Sequence, residues 1–253
     1  MTPELSAAGF ASYALSAMAE VAEKAADAVD AAAELIANAV RSDGIVQAFG
    51  TGHSQAVALE IAGRAGGLIP TNRIRLTDLV VVGGDQPDVL ADQLLERQPG
   101  LAERLYQLAG ARPGDVFVIA SNSGVNAVVS EMARLVTEKG HPLIAITSMQ
   151  HTMRVTPSDP EGKRLADFAD VVLDNGAPYG DAVLPLPNGG TACGFSSLSA
   201  GLLVQMMVAE AIRKLVDAGV EPPVYVSSNV PGGFERNREI EKRYEGRIRR
   251  LAG

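Results

Sequence analysis

Short apolar runs along the chain alternate with longer segments whose apolar residues recur at helical spacing. The runs predict buried strands, because they are too short for helices and are bounded by polar residues, glycine or proline. The predicted strands are Ile45–Phe49, Asp115–Ala120, Leu143–Ile146 and Val171–Leu173, with short extended pieces at Arg73–Leu76 and Leu79–Val82. Strands that alternate with helices indicate a mostly parallel sheet covered on both faces.

Helices are predicted between these strands. Residues 4–41 predict one or two helices, and Leu198–Val216 is apolar nearly all round, which is typical of a buried helix. The other predicted helices are an apolar stripe from Ser54 to Ala65, the segments Pro87–Arg97 and Leu101–Leu108, and a stripe from Val125 to Val136. The polar stretch Ser148–Lys163, which holds two prolines, predicts a loop.

The length suits one large α/β domain. At 253 residues and 47% hydrophobic content, the chain can bury a sizeable core. We expect a single domain over residues 1–253, with an N-terminal helical segment (1–41), a core (42–220) and a C-terminal extension (221–253).

The net charge and the cysteine content limit the partners and the cellular location that we expect. A net charge of −8 argues against nucleic-acid binding, because that function needs a clustered positive field. The single cysteine, Cys193, suits a reducing compartment. The N-terminus shows no secretory leader pattern, and no apolar stretch approaches the roughly twenty residues that span a bilayer. We therefore expect a cytoplasmic protein with no membrane partner.

Two strand-to-helix turns of similar design carry the candidate chemistry. Each follows a predicted strand and opens a predicted helix, so hydroxyls, glycines and backbone N–H groups collect where phosphate binds in many proteins. The predicted binding residues are Gly50, Thr51, Gly52 and Ser54 in the first turn and Ser121, Asn122, Ser123, Gly124 and Asn126 in the second. The alternative is that Ser54 and Ser123 only cap helices.

Nucleotide-binding motifs do not fit these turns. Gln55 stands where a dinucleotide fingerprint needs its third glycine, and no Gly-Lys-Ser/Thr ending of a P-loop occurs. The phosphate predicted here therefore belongs to a ligand of another class.

The paired turns resemble the sugar isomerase (SIS) domain family. The likeness rests on Gly50–Ser54, on Ser121–Gly124 and on the strand that ends at Ile144–Ser148, and it covers about residues 30–220. It implies a three-layer α/β/α sandwich with a five-stranded, mostly parallel, flavodoxin-like sheet, and subunits that form a homodimer or homotetramer. It also implies that Ser54, Ser121 and Ser123 supply the hydroxyls that bind the phosphate of a sugar phosphate.

One part of the family pattern is missing. The family commonly follows Ser-Gly and a spacer with threonine and, soon after, a glutamate, whereas this chain has Asn126 followed by Ala127 and Val128. An amide can replace the hydroxyl as a donor. Any role of that glutamate is lost.

Glu60 and His53 are the candidate catalytic residues. Aldose-ketose isomerisation needs a general base beside an enediol intermediate and an acid/base group that opens the sugar ring. Glu60 lies six residues beyond Ser54, about 9 Å along a helix, and is the candidate base. The alternative is a surface ion pair of Glu60 with Arg64. His53, inside the first turn, is the candidate for ring opening, or only satisfies local polar groups.

Other polar residues have weaker assignments. His151 follows a strand end and is a further cleft candidate, whereas His141 is assigned a structural role. The histidines lack the spacing of metal ligands, so neither a metal nor a cofactor is predicted, although some SIS relatives bind zinc. Asp174, Asn175 and Asp181 either contact sugar hydroxyls or only form turns. The basic tail Arg236–Arg250 predicts a solvated helix, or supplies an arginine to a neighbouring subunit.

Three functions fit these residues. The first is a phosphosugar isomerase that acts through an enediol intermediate. The second is a non-catalytic sugar-phosphate sensor, which the altered run after Ser123 favours. The third is a phosphosugar lyase or etherase, because the same fold supports elimination.

Overall fold

A parallel sheet forms the centre of the molecule. The computed structural model describes residues 3–250, and five strands lie there in the order β2-β1-β3-β4-β5, all parallel. They are β1 (Val46–Gly50), β2 (Thr71–Ile74), β3 (Val116–Ala120), β4 (Leu143–Thr147) and β5 (Val171–Asp174). The direction of strand order changes between β1 and β3, and in open α/β sheets ligands bind at such a switch point.

Helices cover both faces of this sheet, which confirms the predicted α/β fold. The longer helices are α1 (Ala7–Lys24), α2 (Ala26–Arg41), α3 (Gln55–Ile61), α5 (Leu101–Ala109), α6 (Ala127–Glu138), α9 (Ser196–Asp217) and α10 (Gly233–Glu241). Single helical turns are α4 (Asp78–Val81), α7 (Met149–Thr152) and α8 (Leu165–Phe168). A hairpin of β6 (Ala182–Pro185) and β7 (Thr191–Gly194) precedes α9.

Side chains of the central strands alternate between two cores. Val118 and Ala120 of β3 pack with α2, α3 and α9 on one face, and Phe117 and Ile119 pack with α5 and α6 on the other. All five residues of β1, β3 and β4 are buried, because both faces of a parallel sheet are covered. The result is three layers with the sheet in the middle.

Small side chains bring α2 and α9 together. Ala32, Ala33 and Ala37 of α2 and Ala211 of α9 are fully buried, so the two helix backbones approach closely. The alanine-rich N-terminal segment therefore forms a packed layer of the fold. It is divided into α1 and α2 at Ala25.

The extended piece predicted at Leu79–Val82 is wrong, since α4 occupies this position. Asp78 is 1% exposed, and its carboxylate accepts hydrogen bonds from the Arg75 amide at 3.1 Å and the Arg75 guanidinium at 2.9 Å. These bonds turn the chain back immediately after β2.

Two predicted helices are shorter than expected. The apolar stripe from Ser54 ends at Ile61, because Gly63 and Gly66 both adopt left-handed backbone angles. The segment 87–97 forms two separate 3-10 turns, Pro87–Ala91 and Leu95–Arg97, instead of one helix.

The structure adds a hairpin and the helical turns α7 and α8 to the sequence-based assignment. The β6-β7 hairpin was not predicted, because its strands are short and prolines and glycines interrupt the alternation. Helix α7 lies inside the predicted loop 148–163 and begins at Ser148, whose hydroxyl accepts a hydrogen bond from the His151 amide at 3.0 Å.

The C-terminal extension packs against the amino end of β3 and along the edge strand β2. Arg247 forms an ion pair at 2.5 Å with Asp115, which is fully buried, and Arg249 pairs with Asp78 at 3.1 Å. Part of the predicted basic helix forms α10. The last arginines are anchored to the core instead of being solvated.

Candidate functional site

The two predicted turns lie side by side at the carboxyl edge of the sheet. Strands β1 and β3 are hydrogen-bonded neighbours, and Gly50 at the end of β1 pairs in register with Ala120 at the end of β3. Thr51 and Ser121 therefore leave the sheet at the same level. The turns are separated by about seventy residues in sequence but meet at the switch point of the sheet.

The first turn depends on tight backbone packing. A Cβ on Gly50 would lie 2.4 Å from the carbonyl oxygen of Ser54, so only glycine fits at this position. Gly52 has a φ of 53° and begins the 3-10 turn that leads into α3. Thr51 is buried, whereas His53 is exposed on the rim and Ser54 is half-buried.

The second turn is fixed by bonds to its carbonyl groups. The Ser121 hydroxyl accepts a hydrogen bond from the Gly124 amide at 3.0 Å. The carbonyl groups of Asn122, Gly124 and Val125 accept hydrogen bonds from Ser148, Leu165 and Ser158. The carbonyl groups are thus directed into the protein.

The amides at the start of α6 remain free. Within residues 3–250, the N–H groups of Asn126, Ala127 and Val128 find no hydrogen-bond acceptor. Such N–H groups and the positive end of the helix dipole favour an anion. The second turn therefore presents a helix end with unpaired amides beside the first turn.

Neither serine acts as a helix cap. Ser54 precedes α3, but its side chain makes no capping hydrogen bond, and the N-cap of α6 is Asn126, not Ser123. The alternative in which these serines only cap helices thus gains no support. Ser54 lines the cavity between the turns and the start of α9, whereas Ser123 lies outside it.

A small cavity with polar and apolar walls opens between the turns and the start of α9. Its volume is about 90 Å³, room for roughly three waters at about 30 Å³ each or for one phosphate-sized group. Its walls are His53, Ser54, Val57, Ala120, Asn122, Ile146, Asn175, Asp181, Ser196, Ser197 and Ala200. The cavity brings His53, Ser54 and Asn122 together with the predicted Asn175 and Asp181.

Asn175 and Asp181 hold the far wall in place. Asn175 donates from its amide to the Asn122 side-chain oxygen at 3.0 Å. Asp181, at a φ of 68°, accepts from the Phe195 and Ser196 amides at 3.0 and 2.7 Å and from the Ser196 hydroxyl at 2.8 Å. Its charge is offset by the N-terminus of α9.

Sequence reasoning missed Ser196 and Ser197 as cavity residues. The signal was present, because two serines directly precede the long apolar run of α9, as at many helix starts. What the sequence did not reveal is the hairpin that brings this helix start to the two turns.

Glu60 lies outside the cavity. Its carboxylate forms an ion pair with Arg64, one turn along α3, and accepts a hydrogen bond from Gln205 of α9 at 2.6 Å. The arrangement matches the ion-pair alternative given for Glu60. The geometry therefore offers no support for Glu60 as the base.

The other histidines have structural partners. His141 is buried and contacts the Tyr106 hydroxyl at 2.8 Å and the Asp115 carbonyl oxygen at 3.1 Å. The His151 ring accepts a hydrogen bond from the Gly180 amide at 3.0 Å and stacks on Tyr179. His151 thus supports the loop that carries Asp181 but does not line the cavity.

A carboxylate that the sequence did not single out reaches both turns. Glu96, in the 3-10 turn Leu95–Arg97, accepts a hydrogen bond from the Asn126 side-chain amide at 2.8 Å. Its other oxygen would lie 3.3 Å from a Cβ built on Gly52. No motif marks Glu96, and only the fold brings it here.

A salt-bridged loop supports the second turn from behind. Ser158 bonds the Val125 carbonyl group through its amide and its hydroxyl. Desolvation disfavours the charged form of the adjacent Asp159, but hydrogen bonds from Arg134 and from two backbone amides outweigh it and hold the pKa of Asp159 below its usual range. The loop is therefore ionically anchored at neutral pH.

Between residues 3 and 250, the structure contains neither a cluster of metal-ligand side chains nor a helix suited to span a bilayer. No group of three or more His, Cys, Asp or Glu side chains in the described part of the chain has the arrangement of a metal site. None of the helices between residues 3 and 250 combines the length and apolarity needed to cross a lipid bilayer.

Comparison with known proteins places the chain among SIS-type sequences. The model of the SIS domain family matches residues 9–148. A UPF0309 protein of Listeria monocytogenes is 40% identical over 218 residues, covering 86% of this chain and 88% of that protein. A UPF0309 protein of Halalkalibacterium halodurans is 41% identical over 213 residues, covering 84% of this chain and 86% of that protein.

Solved structures share the fold. The phosphoheptose isomerase of Neisseria gonorrhoeae superposes with a TM-score of 0.53 at 21% identity, covering 81% of this chain and 96% of that one. The phosphoheptose isomerase of Francisella tularensis superposes with a TM-score of 0.53 at 15% identity, covering 81% of this chain and 95% of that one. At these identities the likeness concerns the architecture alone.

Proposed function

Because the chain belongs to the SIS domain family, with UPF0309 proteins as relatives, we propose that it binds a sugar phosphate and interconverts its aldose and ketose forms. The observation that carries the proposal is the meeting of the two serine-bearing turns at the switch point of the sheet. Family membership alone supports sugar-phosphate binding. The isomerase activity is the further step.

The phosphate is proposed to bind between Ser54 and Ser123. Their hydroxyls make no capping bonds, and the free amides at the start of α6 add donors without adding bulk. The helix dipole favours the negative charge there. Gly50, Thr51, Gly52, Ser121, Asn122 and Gly124 are proposed to shape the two turns around it.

Part of the sugar is proposed to occupy the cavity between the turns and α9. Asn122, Asn175 and Ser197 provide amide and hydroxyl groups at its wall, which suit the alternating donors and acceptors of sugar hydroxyls. His53 lies exposed at the rim and is proposed to assist ring opening as an acid/base group.

A non-catalytic sensor is the second candidate. Two observations favour it: Glu60 is engaged by Arg64, and the glutamate that the family places after the second turn is absent. A sensor would bind the same ligand without moving a proton. A lyase or etherase would need the same acid/base groups and has no separate observation in its favour.

Assembly and location are also proposed. Exposed apolar side chains, including Leu59, Val81 and Leu94, suit a homodimer or homotetramer, which light scattering on the purified protein measures directly. The free, exposed Cys193 suits a cytoplasmic location.

Ser123→Ala tests the phosphate site. Loss of one hydrogen bond to a charged group should weaken sugar-phosphate binding by about tenfold or more, since such bonds contribute about 1.5–3 kcal/mol. Isothermal titration calorimetry with C5 to C7 sugar phosphates measures the change. Ser227→Ala, remote from the turns, is the control. Equal affinity of Ser123→Ala and the wild-type protein would show that the phosphate site is misplaced.

Deuterium exchange separates the isomerase from the sensor. The isomerase moves a proton through the enediol, so the wild-type protein in D₂O should exchange the hydrogen next to the carbonyl carbon of its substrate. NMR detects this exchange. A protein that binds the sugar phosphate but exchanges nothing is the sensor.

A further inference from the structure

Glu96 is a carboxylate that lies against both turns. One carboxylate oxygen accepts the Asn126 amide of the second turn at 2.8 Å, and the other faces Gly52 of the first turn. Glu96 does not line the cavity itself, but a ligand that spans the two turns would lie beside this carboxylate. The side chain is half-buried, so it is partly removed from water.

Glu96 differs from the other carboxylates near the site in having no cation and no cluster of amides. Within residues 3–250, no lysine, arginine or histidine lies within ion-pair distance of Glu96. Glu60 pairs with Arg64, Asp181 binds the start of α9, and Asp174 accepts two backbone amides. Glu96 keeps one oxygen free for a proton.

The fold holds Glu96 in this position from two sides. The neighbouring Leu95 is 4% exposed and packs into the core formed with α5 and α6. The Asn126 side chain at the start of α6 fixes the carboxylate itself. A base held by a packed anchor and an oriented amide is preorganised for proton transfer.

We propose that Glu96 is the general base of the isomerisation and that Asn126 is its positioning residue. The inference rests on the proposed function and assigns its base. It also gives a reason for the departure at position 126: the amide that replaces the family's threonine binds Glu96, which comes from another segment and takes the place of the missing glutamate.

The proton transfer balances without a co-reactant. The Glu96 carboxylate removes the proton from the carbon next to the carbonyl group, and the C–H electron pair forms the double bond of the enediol. The carbonyl oxygen takes a proton from water or from His53. Glu96 then returns its proton to the former carbonyl carbon, while the neighbouring hydroxyl loses a proton and becomes the new carbonyl group.

Glu96→Gln is the test, with Glu60→Gln as the matched control. Glutamine keeps the acceptor for Asn126, so the fold and the sugar-phosphate affinity should be retained within about threefold, whereas deuterium exchange should fall by about a hundredfold or more. Glu60→Gln removes the same charge and should keep exchange within about threefold. Calorimetry and NMR exchange are run on the same preparations.

Each outcome decides the assignment. If Glu96→Gln retains deuterium exchange, the assignment of Glu96 as the base is wrong. The same holds if this variant also binds phosphate more tightly, because the Glu96 carboxylate would then only compete with the phosphate for the site. Loss of exchange in Glu60→Gln overturns the assignment in favour of Glu60. A wild-type protein that binds the sugar phosphate without exchange overturns the proposed isomerase and its base together.

Asn126→Ala provides a second readout. A positioning residue should lower kcat for isomerisation by about tenfold and leave KM nearly unchanged, since the carboxylate stays but loses its orientation. An increase in KM with an unchanged kcat would show that Asn126 binds the phosphate instead of positioning Glu96.

Discussion

At the scale of single residues, contact distance decides which glycines the site needs. Gly50 has an ordinary backbone angle but no room for a Cβ, because the Ser54 carbonyl group occupies that space. Gly201 of α9 has nothing within 4 Å of the same position. The two glycines look equivalent in the sequence, yet only Gly50 shapes the first turn.

Gly50→Ala and Gly201→Ala should therefore have opposite effects. The first forces the turn open and should lower the free energy of unfolding by about 2 kcal/mol or more, with loss of sugar-phosphate binding. Gly201→Ala adds helix propensity and should raise the free energy of unfolding by up to about 1 kcal/mol. Urea denaturation measures both. Equal effects of the two substitutions would contradict the tight first turn.

At the scale of elements, the site depends on how α9 begins. Its first amides are held by Asp181, whose left-handed backbone lies at the end of the loop that follows β5. The hairpin β6-β7 then returns the chain from Asp181 to Phe195. A single carboxylate therefore joins the loop, the hairpin and the helix at the cavity wall.

Asp181→Ala should weaken this junction. Loss of the bonds to α9, together with alanine at a φ of 68°, should lower the free energy of unfolding by about 2 kcal/mol. Asp181→Asn keeps an acceptor and tolerates the left-handed angle, so it should lose less than about 1 kcal/mol. Chemical denaturation of both variants compares them. A larger loss of stability in Asp181→Asn than in Asp181→Ala would contradict the role of Asp181 in capping α9.

Elements with strong local patterns could be predicted from the sequence. The short apolar runs predicted β1, β3, β4 and β5. They are most continuous in β3 and β4, because both faces of these strands are buried, whereas β1 carries the buried Gln47 and β5 ends at the exposed Asp174.

The hairpin could not be predicted, because its strands are short and interrupted by prolines and glycines. Helix α4 could not be predicted either, since it depends on Asp78, which is paired with Arg249 far along the chain. Glu96 and Ser196 were missed for the same reason, because only tertiary contacts bring them to the turns.

At the scale of the whole molecule, Arg247 of the C-terminal extension and the site lie at opposite ends of β3. The site is built at the carboxyl ends of β1 and β3, whereas Arg247 binds Asp115 directly before β3. Asp115 also accepts hydrogen bonds from the Ile45 amide and the Gln47 side chain. Arg247 thus stabilises the sheet from the end of β3 that is remote from the ligand.

Arg247→Ala should destabilise the protein without altering ligand binding. It leaves the buried Asp115 carboxylate without its cation and should lower the free energy of unfolding by about 3 kcal/mol. Arg243→Ala, at an exposed position, should change it by less than about 0.5 kcal/mol. Denaturation and calorimetry are run in parallel. Lost sugar-phosphate affinity in a folded Arg247→Ala protein would contradict the separation of the two ends of β3.

The most direct test of the account is a crystal structure of the protein with a bound sugar phosphate. We expect the phosphate to lie between the two turns, within hydrogen-bond distance of the Ser54 and Ser123 hydroxyls and of the first amides of α6. A phosphate bound elsewhere, or held by only one of the turns, would contradict the claim that they form a single site.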